Sequence, residues 1–174
     1  MIEQLTIKRI TTNEAEILSE VAIRAYKDHY LHLWNDDGRW YIQKSFSINQ
    51  LQFEIEDANN GFYFAIIDQN PVGFIKIRPN NQLSGHEGDG FEIERIYLTK
   101  EATGKKIGNK LMIFAIEIAK NLQKDYVWLK AMDSSHDAIR FYQNLGFVQC
   151  GTSRLDFELL KDEIRGMVTM KLDL

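Results

Sequence analysis

One segment of this 174-residue chain combines an alternating strand pattern, a short loop with two glycines and the start of an amphipathic helix. The strand pattern begins at Phe91, the glycines stand at positions 104 and 108, and the helical pattern begins near Ile107. A helix start presents backbone N–H groups that lack intrahelical partners, and the helix dipole adds partial positive charge there. Such a junction favours phosphate. Full positive charge nearby is supplied by Lys105, Lys106 and Lys110.

The familiar nucleotide-binding motifs do not fit this segment. A Walker A loop, G-x-x-x-x-G-K-[ST], is absent because Gly104 and Gly108 are only four residues apart and Asn109 follows. The dinucleotide fingerprint G-x-G-x-x-G is absent as well. The spacing alone therefore leaves two interpretations open, a pyrophosphate-binding loop or an ordinary strand-to-helix turn with solvated lysines.

The second half of the chain adds a further strand–helix pair. Residues 125–131 have the composition of a buried strand, and residues 134–147 have that of a helix that stops at Gly146. With the first segment, this pair resembles the GNAT superfamily of acyl-CoA-dependent N-acetyltransferases. The resemblance is carried by the strand–loop–helix and by a downstream A-x-x-F-Y-x-x-x-G-F pattern, here Ala138, Phe141, Tyr142, Gly146 and Phe147.

The resemblance implies acetyl-CoA as co-substrate and assigns the residues that contact it. They are expected at Ile96, Tyr97, Leu98, Thr103, Gly104, Lys105, Lys106, Ile107, Gly108, Asn109 and Ser135. The family usually has Arg or Gln at the position of Thr103 and Gly at that of Lys106. We expect Lys106 to enter the helix with ordinary dihedrals, since a helix start does not require glycine. Ser135 stands where many members have an asparagine on the cofactor, and it serves either that role or helix capping.

Amide formation from a thioester needs a neutral amine, a stabilised oxyanion and a proton for the departing thiolate. The resemblance places Tyr142 as the general acid that faces the cofactor sulfur. Glu92 and Glu94 are the candidate bases on the strand. The apolar phase of this strand changes at Glu94-Arg95, which predicts a β-bulge at these two residues. The N–H of Leu98 is the expected donor to the thioester carbonyl.

The amine acceptor is less well defined by the sequence. The segment from Phe91 to Tyr97 and the preceding helical region resemble bacterial spermidine/spermine acetyltransferases, with Tyr26, His29 and Tyr30 expected at the acceptor site. Carboxylates in the helical region suit a polycation, namely Asp36, Asp37, Glu54, Glu56 and Asp57. A polyamine is thus the first acceptor to consider. The alternatives are a peptide or protein N-acetyltransferase and an acyl-CoA-binding module without turnover.

The periodicity predicts the element order β–α–α–β–β–β–α–β–α–β–β. This is an α/β (α+β) arrangement, and the resemblance implies a GNAT-like mixed sheet of about seven strands flanked by about four helices within a single domain, residues 1–174. Strands are predicted at residues 4–9, 61–68, 72–78, from 91, 125–131, 147–155 and 167–172, and helices at 13–29, 47–57, from 107, and 134–146.

Composition limits the remaining function classes. A net charge of −4 argues against a general nucleic-acid partner, which needs a basic surface. No apolar run approaches membrane-spanning length, and the lone Cys150 favours a reducing compartment, so a cytoplasmic protein without a membrane partner is expected. The four histidines show no metal-ligand spacing, and we expect no metal. In this family the C-terminal strand supports dimers in some members, so we expect a small-molecule amine substrate and, as a further partner, a homodimer.

Overall fold

Residues 5–174 are described by a computed structural model, in which seven strands form one mixed sheet. The predicted start of the first strand at Gln4 lies outside the described residues. The strands are β1 (Leu5–Arg9), β2 (Gly61–Ile67), β3 (Asn70–Arg78), β4 (Gly90–Leu98), β5 (Tyr126–Met132), β6 (Val148–Arg154) and β7 (Gly166–Asp173). Their spatial order is β1-β2-β3-β4-β5-β7-β6. All neighbours are antiparallel except β4 and β5, which are parallel. The α/β fold and the seven strands are confirmed.

Among the described residues, five α-helices cover the two faces of the sheet. They are α1 (Ala15–His29), α2 (Arg39–Phe46), α3 (Ile48–Glu56), α4 (Ile107–Asn121) and α5 (His136–Asn144). The sequence predicted about four helices. Helix α2 was not predicted because it follows the Asp37–Gly38 turn directly and is only eight residues long. Asp36 stabilises its start by accepting hydrogen bonds from the backbone N–H groups of Gly38 and Trp40, at 3.0 and 2.7 Å.

Strand β2 shows how the sheet divides the core into two layers. Phe62 and Phe64 join the cluster beneath α1, α2 and α3, while Ala65 and Ile67 join the cluster beneath α4 and α5. This alternation is the period-two pattern of a strand that is covered on both faces. Full burial of a phenylalanine side chain stabilises the folded state by about 1.5–3 kcal/mol. The apolar alternation is therefore enough to fix which face of the sheet each helix covers.

The β2–β3 hairpin closes through two residues with left-handed backbone, Asp68 (φ +46°) and Gln69 (φ +65°). Two positive φ values match the right-handed twist of a hairpin, as in a type I′ turn. The turn therefore lies one residue earlier than the predicted Gln69–Asn70.

Candidate active site

Strands β4 and β5 begin side by side and then separate. They pair only from Gly90 to Glu92, opposite Tyr126 to Trp128. On its other side β4 stays paired with β3, but Lys76 pairs with Arg95 while the next residue, Ile77, pairs with Ile93. Glu94 is thus the extra residue of a β-bulge, as its change of phase predicted. The bulge bends β4 where it leaves β5, and a slot opens between the two strands.

A cavity of about 350 Å³ occupies this slot. One wall is the stretch of β4 from Glu92 to Tyr97, and the opposite wall is β5 from Leu129 to Met132. Helix α5 closes one side of the cavity with Ser135, Ala138 and Tyr142. A volume of this size is at the lower end of the range for small-molecule sites.

Tyr142 is placed in the cavity by the short α5, whose end is set by Gly146 with a φ of +96°. Its side chain is 9% exposed and packs beside Phe141 and Phe147, with ring centroids 5.3 and 6.1 Å away. Burial, with a smaller effect of Tyr30, raises the pKa of Tyr142 to about 12. The phenol therefore keeps its proton across the neutral pH range and can donate it into the slot.

Glu92 lines the same cavity and is 8% exposed. Its Oε2 atom accepts a hydrogen bond of 2.6 Å from Nδ2 of Asn81 and lies 3.6 Å from a guanidinium nitrogen of Arg78. Burial raises the pKa of Glu92, and the charge of Glu94 adds to this, although the bond from Asn81 opposes it. A carboxylate with a raised pKa is a better proton acceptor than an exposed one.

Glu94 also lines the cavity but is held in an ion-pair network. Nζ of Lys76 lies 2.8 Å from both Glu94 and Glu54, and Arg95 contacts Glu54 at 3.0 Å and Glu94 at 3.5 Å. The network ties the bulge of β4 to α3. Glu94 is therefore engaged by two cations, whereas the pKa of Glu92 is raised.

The predicted phosphate-binding loop runs from Thr103 to Asn109. Thr103 to Lys106 are exposed, Ile107 is buried, and Gly108 and Asn109 form the first turn of α4 beside Leu98. The Thr103 hydroxyl donates to the carbonyl of Lys100 at 2.6 Å. Gly104 (φ +76°) has open space around it. The loop thus presents its backbone and lysines to solvent at the N-terminus of α4.

Lys106 differs from expectation. It has a φ of +59° and lies in the left-handed region, so the prediction of ordinary dihedrals was wrong. The loop needs a left-handed residue directly before α4, and a lysine supplies it at an energetic cost. This explains why glycine suits the position better.

The other predicted contacts of the cofactor are distributed around the slot. Ile96 and Tyr97 line the cavity, whereas Leu98 lies beyond its lining and pairs with Gly73 on β3. Ser135 lines the cavity at the start of α5, and its side chain makes no capping hydrogen bond there. Of its two predicted roles, the one toward a ligand is the one that its position permits.

The residues predicted at the acceptor site lie among aromatic rings. Tyr26 of α1 and Tyr30, directly after α1, line the cavity, while His29 lies outside it beside Tyr30. Trp34, whose segment was predicted to supply either core or pocket-wall aromatics, lines the cavity. Sequence reasoning missed Asn81, Tyr41 and Phe157. The last two come from α2 and from the loop after β6, and only tertiary folding brings them together.

The carboxylates expected to shape a polycation site lie elsewhere. Glu54 is buried in the ion-pair network, and Asp36 caps α2. None of the five, Asp36, Asp37, Glu54, Glu56 or Asp57, is among the described residues that line the cavity. The sequence argument for a polycation therefore does not carry over to this site.

Residues 5–174 hold no group of three or more His, Cys, Asp or Glu side chains able to bind a metal ion. Within the same range, no helix combines the length and apolar character needed to cross a bilayer.

Similarity to known proteins agrees with this geometry. The chain is 29% identical over 115 residues to an uncharacterized N-acetyltransferase in the pepI 3′ region of Lactobacillus delbrueckii subsp. lactis, covering 66% of each protein. This is just under two thirds of that relative's length. It is 26% identical over 162 residues to the spermidine N(1)-acetyltransferase of Thermoplasma acidophilum, covering 90% of this chain and 96% of that one.

The fold is shared with solved structures. The PaiA N-acetyltransferase of Thermoplasma acidophilum, in complex with coenzyme A, superimposes with a TM-score of 0.73 at 22% identity, covering 98% of this chain and 99% of the other. The sequence model of the acetyltransferase (GNAT) family matches residues 19–147. Since this match spans most of the chain and coincides with the splayed strands, the loop and α5, the protein belongs to the acetyltransferase (GNAT) family.

Proposed function

We propose that the protein transfers an acetyl group from acetyl-CoA to the primary amine of a small molecule. The observation that carries the proposal is the placement of Tyr142 and Glu92, a proton donor and a proton acceptor, in one cavity where β4 and β5 separate. Membership of the family and the coenzyme A complex of the similarly folded PaiA protein support acetyl-CoA as co-substrate.

The described residues fit coenzyme A. The N-terminus of α4 offers unpaired N–H groups, and Lys105, Lys106 and Lys110 bring positive charge to a pyrophosphate there. The separated strands leave a slot for an extended arm, because β4 beyond Glu92 has no β5 partner among the described residues. Acetyl-CoA supplies the acetyl group as a thioester.

The protein's own residues then account for the protons. Glu92 accepts a proton from the amine, whose pKa near 10 would otherwise keep it charged at neutral pH. Backbone N–H groups of β4 on the side of the slot donate to the carbonyl oxygen as negative charge develops. Tyr142 donates to the sulfur as the C–S bond breaks and the C–N bond forms. The products are an amide and a free thiol.

The name of one relative bears on the class of the amine acceptor. The Thermoplasma relative is named for spermidine, which makes a polyamine a reasonable member of the test panel. The lack of the expected carboxylates around the cavity weighs against a polyamine as the preferred acceptor.

The proposal is tested by thiol release and by mass-spectrometric detection of the acetylated amine. The panel contains spermidine, spermine, simple monoamines, lysine peptides and aminoglycosides, each with wild-type protein and Glu92→Gln. Turnover on a free amine, lost in the variant, supports the proposal. Turnover on peptides alone favours the peptide N-acetyltransferase. Binding of acetyl-CoA without turnover on any amine favours the binding module, and overturns the proposal.

A further inference from the structure

Besides Tyr142, six aromatic side chains line the cavity, which we call the aromatic wall: Tyr26, Tyr30, Trp34, Tyr41, Tyr97 and Phe157. Tyr41 stacks on both Tyr26 and Trp34 with ring centroids 5.0 Å apart. Tyr30 meets Tyr97 edge to face at 5.5 Å. These rings form one continuous surface that extends from β4 to the loop after β6.

The aromatic wall is held in place before any ligand binds. Nε1 of Trp34 donates a hydrogen bond of 2.7 Å to the hydroxyl of Tyr26. Trp34 forms an isolated bridge with Leu160, flanked by backbone hydrogen bonds that join Leu33 to Lys161 and Asn35 to Leu159, at 3.0 and 2.9 Å. Rings fixed in this way lose little freedom when a flat ligand packs on them.

The charges that line the cavity suit a single ammonium group. Two are negative, Glu92 and Glu94, and two are positive, Arg95 and Lys130. Glu94 is already neutralised by Lys76, and Arg95 by Glu54. Glu92 has the longer ionic contact, 3.6 Å from a guanidinium nitrogen of Arg78, and is the carboxylate more available to the reacting amine. A polyamine would bring further ammonium groups that find no second available carboxylate among the lining residues, and leaving such charges unpaired is costly.

We infer that the acceptor is a primary monoamine with a flat, apolar body, of the arylalkylamine class. The inference rests on the proposed function and specifies its substrate. The ammonium group faces Glu92, and the ring packs on the aromatic wall. Aromatic pairs prefer offset-stacked or edge-to-face arrangements, and both arrangements are available on this surface.

The test compares 2-phenylethylamine, 2-cyclohexylethylamine, 1,4-diaminobutane and spermidine. Thiol release gives kcat/KM, and calorimetry of the same amines gives binding in the absence of turnover. We expect both the kcat/KM and the binding affinity of 2-phenylethylamine to exceed those of 1,4-diaminobutane and spermidine by about tenfold or more. Spermidine binding or reacting as well as 2-phenylethylamine would overturn the inference. Preferred binding of 2-phenylethylamine with no thiol release from any amine would support the inference about the pocket and contradict the proposed reaction.

Two matched variants test whether the aromatic wall causes the preference for 2-phenylethylamine. Phe157→Leu removes a ring from the aromatic wall but keeps apolar bulk, and Phe53→Leu removes a ring that is 72% exposed on α3, outside the cavity. We expect Phe157→Leu to weaken 2-phenylethylamine binding by about tenfold and to leave 1,4-diaminobutane binding unchanged, with melting temperatures reported for both proteins. Equal effects of the two variants would overturn the inference.

Discussion

Nδ2 of Asn81 lies 2.6 Å from Oε2 of Glu92 and donates a hydrogen bond to it. Asn81 is itself fixed, because its carbonyl accepts a bond of 2.8 Å from Nε1 of Trp128 and its N–H donates to Gly90 at 3.1 Å. The loop between β3 and β4 therefore orients the carboxylate that we propose as the base.

Replacing Asn81 by alanine is expected to shift the pH dependence of the reaction. The hydrogen bond favours the charged form of Glu92, so its loss raises the pKa of this carboxylate further. A base must be deprotonated, and the acid limb of the kcat/KM profile therefore moves to higher pH. The neighbouring Asn80→Ala is the control, because the side chain of Asn80 accepts a hydrogen bond from Lys124. An unmoved acid limb in Asn81→Ala would contradict the positioning role.

The two glutamates of β4 are expected to respond differently to replacement. Glu92→Gln removes the proposed base and lowers kcat by about 10²–10⁴-fold. Glu94→Gln leaves Lys76 paired with Glu54, so kcat falls by a smaller factor. Steady-state thiol release at saturating amine measures both. A larger loss of kcat in Glu94→Gln than in Glu92→Gln would identify Glu94 as the base.

Glu54 is expected to stabilise the fold rather than to bind substrate. Burial alone would raise its pKa, but Arg95, Gln50 and Lys76 together hold the pKa below its usual value. This stability is present above the unfolded-state pKa, about 4.3, and is lost as the pH falls through the lower folded-state pKa. Glu54→Gln should cost about 3 kcal/mol at pH 7, which lowers Tm by roughly 6–12 °C.

The same comparison of Tm at low pH tests whether the charge of Glu54 causes the difference in stability. As the pH falls below about 4.3, the Tm difference between wild type and Glu54→Gln should shrink, because the carboxylate is protonated first in the unfolded chain and, at still lower pH, in the folded protein. Glu56→Gln, on the exposed side of α3, should change Tm little at either pH. A difference that stays constant with pH would show that packing, and not charge, accounts for the effect.

Lys106→Gly is expected to stabilise the protein. The left-handed backbone of Lys106 costs about 1–2 kcal/mol for a side chain with a Cβ, and glycine adopts it freely. Tm should rise by a few degrees, whereas Lys105→Gly, at a neighbouring position without a positive φ, should not raise it. Coenzyme A affinity, measured in parallel, reports the effect of the lost charge, whereas Tm reports the relieved strain. A lower Tm in Lys106→Gly would contradict the assignment.

Several of these features could be predicted from the sequence and others could not. The bulge at Glu94 was visible because side-chain alternation along a strand is local, and the place of Tyr142 was visible because its helix carries a family motif. Lys106 was misjudged because the sign of φ depends on how the loop enters α4. Asn81, Tyr41 and Phe157 were missed because contacts between distant segments create their roles. Glu54 was expected to help form a polycation site, whereas the fold places Lys76 and Arg95 against it.

The kcat of Tyr142→Phe for thiol release at saturating acetyl-CoA and amine tests the central claim most directly. The phenol of Tyr142 is buried and stays protonated at neutral pH, so removing its proton should lower kcat by about 10²-fold or more with coenzyme A affinity unchanged. Tyr63→Phe, which alters a tyrosine of β2 outside the cavity, should keep the wild-type rate. Equal kcat values for wild type and Tyr142→Phe would contradict the account.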